Sequence, residues 1–153
     1  MDDMLDIEGI EEIAALRNQG FYCSQIIMLQ GLALMGKSNP DLVRSVGALA
    51  GGLGFSGELC GALSGGACLL GLYAGKGRPE EPEDPRMMFM VQDLVKWFKE
   101  EYEERFHGIL CDDILEGKGS FSLTRCPLLV ATVFQKCKDL LVENGFDLSG
   151  LVQ

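Results

Sequence analysis

Three of the six cysteines, Cys23, Cys60 and Cys126, stand where the sequence predicts a helix to begin. Cys111 follows just past the end of a long helical pattern. Free backbone N–H groups and the positive end of the helix dipole favour an anionic sulfur at a helix start, so Cys23, Cys60 and Cys126 are each expected to have a lowered pKa, and Cys111 supplies a fourth thiol. A thiolate attacks disulfides and binds soft metals. Cys60 is the most pointed case: the glycine-rich run 47–57 leads into Cys60-Gly61-Ala62-Leu63-Ser64-Gly65, a flexible loop that turns into the first turn of an apolar helix. The competing reading of Cys60 is a small, inert thiol in a closely packed helix, which Gly65, Gly66 and Ala67 also suit. Cys68 and Cys137 lie at mid-helix positions among apolar neighbours and read as core.

No two cysteines form a Cys-x-x-Cys pair. That spacing argues against a thioredoxin motif, a zinc ribbon or a ferredoxin-type loop, so any site must be assembled from separate helices. Four thiolates are the right number for an iron–sulfur centre, zinc or Cu(I). Two of them also suffice for a thiol–disulfide oxidoreductase, with Cys60 attacking and a second thiol resolving the mixed disulfide. A non-catalytic helical module that binds a partner or stores metal is the third class.

Other motifs fail on context. Gly52-Leu53-Gly54-Phe55-Ser56-Gly57 spells the dinucleotide fingerprint, but it follows a helical pattern, and Lys76 and Gly77 stand where an acidic ribose ligand belongs. Gly36-Lys37-Ser38 lacks the upstream glycine of a phosphate loop. The one histidine, His107, sits at a helix C-terminus and reads as a dipole cap, which leaves Ser-His-Asp and Cys-His chemistry without support.

The elements that must position the thiols are helical, with glycine or proline between them. Ile7 to Leu16 form a short amphipathic pattern that stops at Gly20. A second helix runs from about Phe21 to Met35, and a third opens at Pro40-Asp41. A fourth, from about Leu59 to Ala74, is apolar nearly all round and is expected at the centre. The longest pattern, about Arg86 to Phe106, turns Phe89, Met90, Leu94, Trp97, Phe98 and Tyr102 inward, with Glu100, Glu101, Glu103 and Glu104 outside. Gly117, Gly119 and Ser120 read as a flexible loop, and a last helix starts at Cys126-Pro127 and reaches Asn144-Gly145. No strand alternation and no repeat is visible. The fold expected is an all-α single-domain bundle of about six helices over residues 1–153.

With 153 residues, 47% of them hydrophobic, the chain buries a core without needing its cysteines as staples. The opening Met1-Asp2-Asp3-Met4 has no leader character, which predicts a cytoplasmic location where disulfides are transient or catalytic. No apolar stretch reaches spanning length, so membrane insertion is not expected. A net charge of −10 repels nucleic acid and suits solubility or docking to a basic redox partner. A homodimer that completes the site across two chains is a further expectation.

The order Gly20-Phe21-Tyr22-Cys23-Ser24-Gln25, the glycine run into Cys60-Gly61-Ala62-Leu63-Ser64-Gly65, then Cys111 and Cys126-Pro127 resembles the redox-active protein family that carries the C-GCAxxG-C-C cysteine signature. The resemblance covers about residues 15–140. It implies a small helical bacterial or archaeal protein with four characteristic cysteines, here Cys23, Cys60, Cys111 and Cys126, that is redox-active or binds an iron–sulfur centre. Residue 59 is Leu, so no second cysteine or glycine-cysteine doublet supplements the motif. Cys68 and Cys137 lie outside the signature.

Overall fold

The computed structural model describes residues 7–116 and 125–150; the glycine-rich stretch at 117–120 lies outside the described residues. Helix α1 (Ile7–Asn18) stops before Gly20, and α2 (Cys23–Leu34) opens where the Gln25 side chain accepts the Tyr22 N–H at 3.1 Å. The start of α3 (Pro40–Val46) is set by Asn39, whose side chain accepts the Leu42 N–H at 3.2 Å, and by Pro40, which has no N–H to orphan. A 3-10 turn (Gly47–Leu49) and the short α4 (Ala50–Leu53) carry the chain into the glycine loop.

Helix α5 (Gly61–Ala74) is the axis of the bundle. It packs against α2, α6 (Met87–Phe106) and α8 (Cys126–Glu143), while α1 lies on α8 and α2. Its small residues explain how neighbours come so close: a Cβ on Gly65 would stand 2.9 Å from the Cα of Ser24 on α2. At the same crossing the buried Ser24 hydroxyl donates to the Val46 carbonyl at 2.8 Å, which ties α3 to α2 and leaves no unpaired oxygen there.

Helix α6 buries Met90, Leu94, Phe98 and Tyr102, a stripe at every fourth position. Phe89, expected inside, is 67% exposed because it falls one residue off that stripe, and Trp97 is half-buried at its edge. The four glutamates at 100, 101, 103 and 104 are exposed as expected. His107 terminates α6 in the left-handed conformation. The far end of the bundle is tied by Arg86, which pairs with Asp84 and donates to the Asn144 carbonyl, joining the start of α6 to the end of α8.

Cys137 is fully buried and donates weakly to the Gly66 carbonyl, as a core thiol should. Cys68 is exposed, contrary to expectation. An apolar-all-round helix gives no sequence cue to its outer face, and α5 turns Cys68 outward between its contacts with α2, α6 and α8.

Among the described residues there is no strand, only an isolated antiparallel bridge between Leu59 and Leu110. The chain is thus an all-α bundle, and no described helix is long and apolar enough to cross a membrane.

Candidate redox site

All four signature cysteines come from the start of a helix. Cys23 is the first residue of α2, Cys60 caps α5, Cys111 is the first residue of α7 (Cys111–Ile114) and Cys126 is the first of α8. Sequence alone places three of these starts along the chain and sets Cys111 past the end of a helix; the packing of α5 against α2 and α8 brings the three to one end of the bundle. The fourth is delivered by backbone pairing. The Cys60 N–H donates to the Ile109 carbonyl at 3.2 Å, and the Cys111 N–H to the Glu58 carbonyl at 2.6 Å. The Asp112 N–H adds a third bond, to Gly57, at 3.2 Å.

The result is a cavity of about 30 Å³ lined by Cys23, Cys60, Cys111 and Cys126. Its walls are completed by Gly51, Gly61, Ala62, Ile114, Leu115 and Leu129. Ile114 and Leu115 were not singled out by the sequence, where the acidic pair beside Cys111 hides an inward apolar face. Cys68 and Cys137 are not part of this cavity, and His107 faces a separate surface pocket with Arg105, Phe106, Asp113, Glu116 and Arg125.

The glycine loop holds one wall. Gly51, Gly52, Gly54 and Gly57 all have positive φ, and a Cβ on Gly52 would collide with the backbone of Glu58. This folding leaves the Gly51 N–H, with that of Ser24, placed to favour negative charge on the Cys23 sulfur. The N–H groups of Ala62 and Leu63, in the first turn of its own helix, act on Cys60 to favour its anion, though the sulfur makes no capping hydrogen bond. Backbone N–H groups therefore favour the anion at two of the sulfurs, at Cys23 from the loop and at Cys60 from the helix.

Those donors do not lower the thiol pKa values, as the helix positions had suggested. Burial pushes Cys60 up to about 12 and Cys23 up to about 11, with neighbouring thiols adding to the shift and the N–H donors opposing it. Cys111, less buried, is raised by the same cause and by the nearness of Cys126 and Asp112. Removing a thiolate from water outweighs the dipole when apolar side chains close around it. No disulfide joins the cysteines, and at neutral pH the two most buried of the four are thiols rather than thiolates.

The model of one protein family matches residues 21–140, and its description is "Putative redox-active protein (C_GCAxxG_C_C)". The chain belongs to this family. The match takes in every cysteine that lines the cavity, from Cys23 to Cys126, and the bundle that positions them. No curated protein and no solved structure matches the chain.

As a donor set, four thiols walled by aliphatic side chains and approached by N–H groups have the chemistry of a thiolate metal site. The side chains as they stand are not closed around such a site. Among the described residues, no three His, Cys, Asp or Glu side chains are grouped to hold a metal ion, and 30 Å³ is about the room of a single water.

Proposed function

We propose that this protein is an electron-transfer module whose working part is a thiolate centre built from Cys23, Cys60, Cys111 and Cys126, an iron–sulfur centre or another soft metal. The observation that carries this reading is the arrival of four thiols from four separate helix starts at one apolar cavity. A fold that wanted only small core residues would not need a sulfur at each start. When bound, an iron–sulfur centre supplies a one-electron couple.

The chain's own residues supply the rest. The Gly51 and Ser24 N–H groups at Cys23, and those of Ala62 and Leu63 at Cys60, stabilise negative charge on sulfur and so favour the deprotonated, ligating form. Ile114, Leu115 and Leu129 keep water away. Because Cys23 and Cys60 start as thiols, ligation must release their protons, and affinity rises with pH. The side chains must also draw together from their present arrangement.

A second reading is favoured by that same arrangement, which has no preformed three-ligand group. In a dithiol–disulfide cycle two of the thiols join through an S–S bond and give up two electrons and two protons to an oxidised disulfide on the partner, which becomes two thiols. Burial makes Cys60 a poor attacking group and Cys111, the more open thiol, the better one.

Metal and acid-labile sulfide analysis of protein prepared without oxygen tests the two. Stoichiometric metal that is lost in Cys23→Ser and Cys60→Ser, but kept in Cys68→Ser, is expected for the first reading. Metal-free protein that yields one disulfide per chain on titration with an oxidised dithiol replaces it with the second.

A further inference from the structure

The thiol end of the bundle is also where apolar side chains face outward. Of the large apolar residues exposed among the described ones, Tyr22, Leu53, Phe55, Leu110 and Leu128 all belong to segments that build the cavity. Tyr22 and Leu110 immediately precede Cys23 and Cys111, and Leu128 stands in the first turn of α8 beside Cys126. The other exposed ones, Leu34, Met88, Phe89 and Val142, lie at the far ends of α2 and α8 and at the start of α6, which Arg86 joins to the end of α8.

Leu53 and Phe55 are the least expected. Both occupy left-handed backbone, at φ 68° and 62°, a conformation that suits glycine and is unfavourable for branched or bulky side chains. Leu53 is 52% exposed and Phe55 50%. The loop thus holds two apolar side chains in strained backbone and half in water. Phe55 is braced there, its ring at an edge-to-face angle to Tyr22 with centroids 5.3 Å apart and packed where a Cβ on Gly51 would stand, and Gly51 lines the cavity beside Cys23. Strain maintained at such a place fits function better than folding, since the neighbouring glycines adopt the same region without cost.

The rim around this patch is acidic. Glu58 and Asp112 are exposed on the two paired segments, three residues after Phe55 and two after Leu110, and the whole chain carries a charge of −10. A second copy would bring the same carboxylates to the same rim. A partner with an apolar centre and a ring of Lys and Arg meets both features at once.

We infer that the face formed by Tyr22, Leu53, Phe55 and Leu110 is the docking surface for a basic electron-carrier protein, which it brings over the four-thiol cavity. The inference rests on the redox reading of the thiols, but docking is separable from electron transfer and holds for reduced, metal-free protein.

The test uses a basic probe of this kind, a cytochrome c with an apolar exposed haem edge and a lysine ring, titrated into the reduced chain at low ionic strength. Saturable one-to-one binding is expected, weakened at least about tenfold by Leu53→Ser combined with Phe55→Ser. Glu58→Lys should weaken it too, and so should raising the salt to about 0.5 M. Octalysine, which has charge but no apolar centre, should bind more weakly than the cytochrome and be indifferent to the double substitution. Unchanged circular dichroism confirms that the variants fold; Glu58→Lys alters only an exposed side chain and serves if the double variant does not. No binding, or binding that both sets of variants leave unchanged, overturns the inference. So does a wild-type dimer in sedimentation that Leu53→Ser with Phe55→Ser converts to monomer, which would assign the face to a second copy.

Discussion

The Cys23 sulfur lies 2.8 Å from the point where a Cβ on Gly61 would stand. The same absent Cβ would sit 3.1 Å from the Leu49 carbonyl oxygen, so α5 begins where only glycine lets a thiol and a backbone oxygen approach together. Gly61→Ala should move Cys23 out of the cavity and cost about 1–3 kcal/mol in urea unfolding. Gly54→Ala is its control. Nothing lies within 4 Å of a Cβ there, and only its φ of +63° resists, so a loss of about 1–2 kcal/mol with Cys23 in place is expected. Alkylation of Cys23 in the folded state, followed by mass spectrometry, separates the two: faster in Gly61→Ala, unchanged in Gly54→Ala.

Burial of the thiols makes stability fall at alkaline pH. Cys23, Cys60 and Cys137 have folded pKa values of about 11, 12 and 12 against an ordinary 9.0. The folded state therefore holds protons that the unfolded chain has given up, and this contribution is complete below pH 9 and lost as pH rises through the folded values. Urea midpoints of reduced, metal-free protein should decline between pH 9 and 11. Cys137→Ala, compared with the wild type, should show a shallower decline, and a flat profile in both would show that these thiols are not buried as described.

Alkylation rates should rank the signature cysteines by exposure rather than by helix position. Cys60, at about 12, carries roughly a thousandth of the thiolate of an ordinary thiol at pH 8. Reduced protein at that pH is expected to label first at exposed Cys68 and then at Cys111, with Cys60 and Cys137 labelled only on unfolding. Labelling of Cys60 ahead of Cys68 would contradict this ranking.

The crossing of α2 and α5 gives a fourth expectation. Gly65→Ala forces a Cβ against the backbone of Ser24, which cannot rotate aside, and should lower stability by about 1–3 kcal/mol. Ser24→Ala leaves the backbones where they are but removes the buried bond to the Val46 carbonyl, at a cost of about 0.5–1.5 kcal/mol. Thermal melts of the two single variants and the double measure whether the costs add. Contact between the two sites predicts that they do not.

Much of this was legible beforehand. The apolar stripe of α6, the Pro40-Asp41 start of α3 and the helix starts at Cys23, Cys60 and Cys126 follow from periodicity and capping chemistry, which act within a turn or two of chain. The bond from Cys111 to Glu58 was not legible, because one bridge pair has no alternation to betray it. Phe89 and Cys68 were misplaced for a related reason: each lies in a helix with more apolar residues than its neighbours can cover, and only the packing decides which remain outside. The pKa direction needed the whole fold. A dipole is visible in a sequence, whereas the side chains of Ile114, Leu115 and Leu129 that dry the cavity arrive from elsewhere.

The pairing of residues 57–60 with 109–112 has a consequence for biosynthesis. These two segments can pair only after the whole of α6, which lies between them in the chain, has been synthesised, and Cys126 comes later still. A chain emerging from the ribosome therefore exposes Cys23 and Cys60 well before the last of the four sulfurs exists. Until then the cavity has no complete lining, so the order of synthesis makes completion of the fold the step that brings the four sulfurs together.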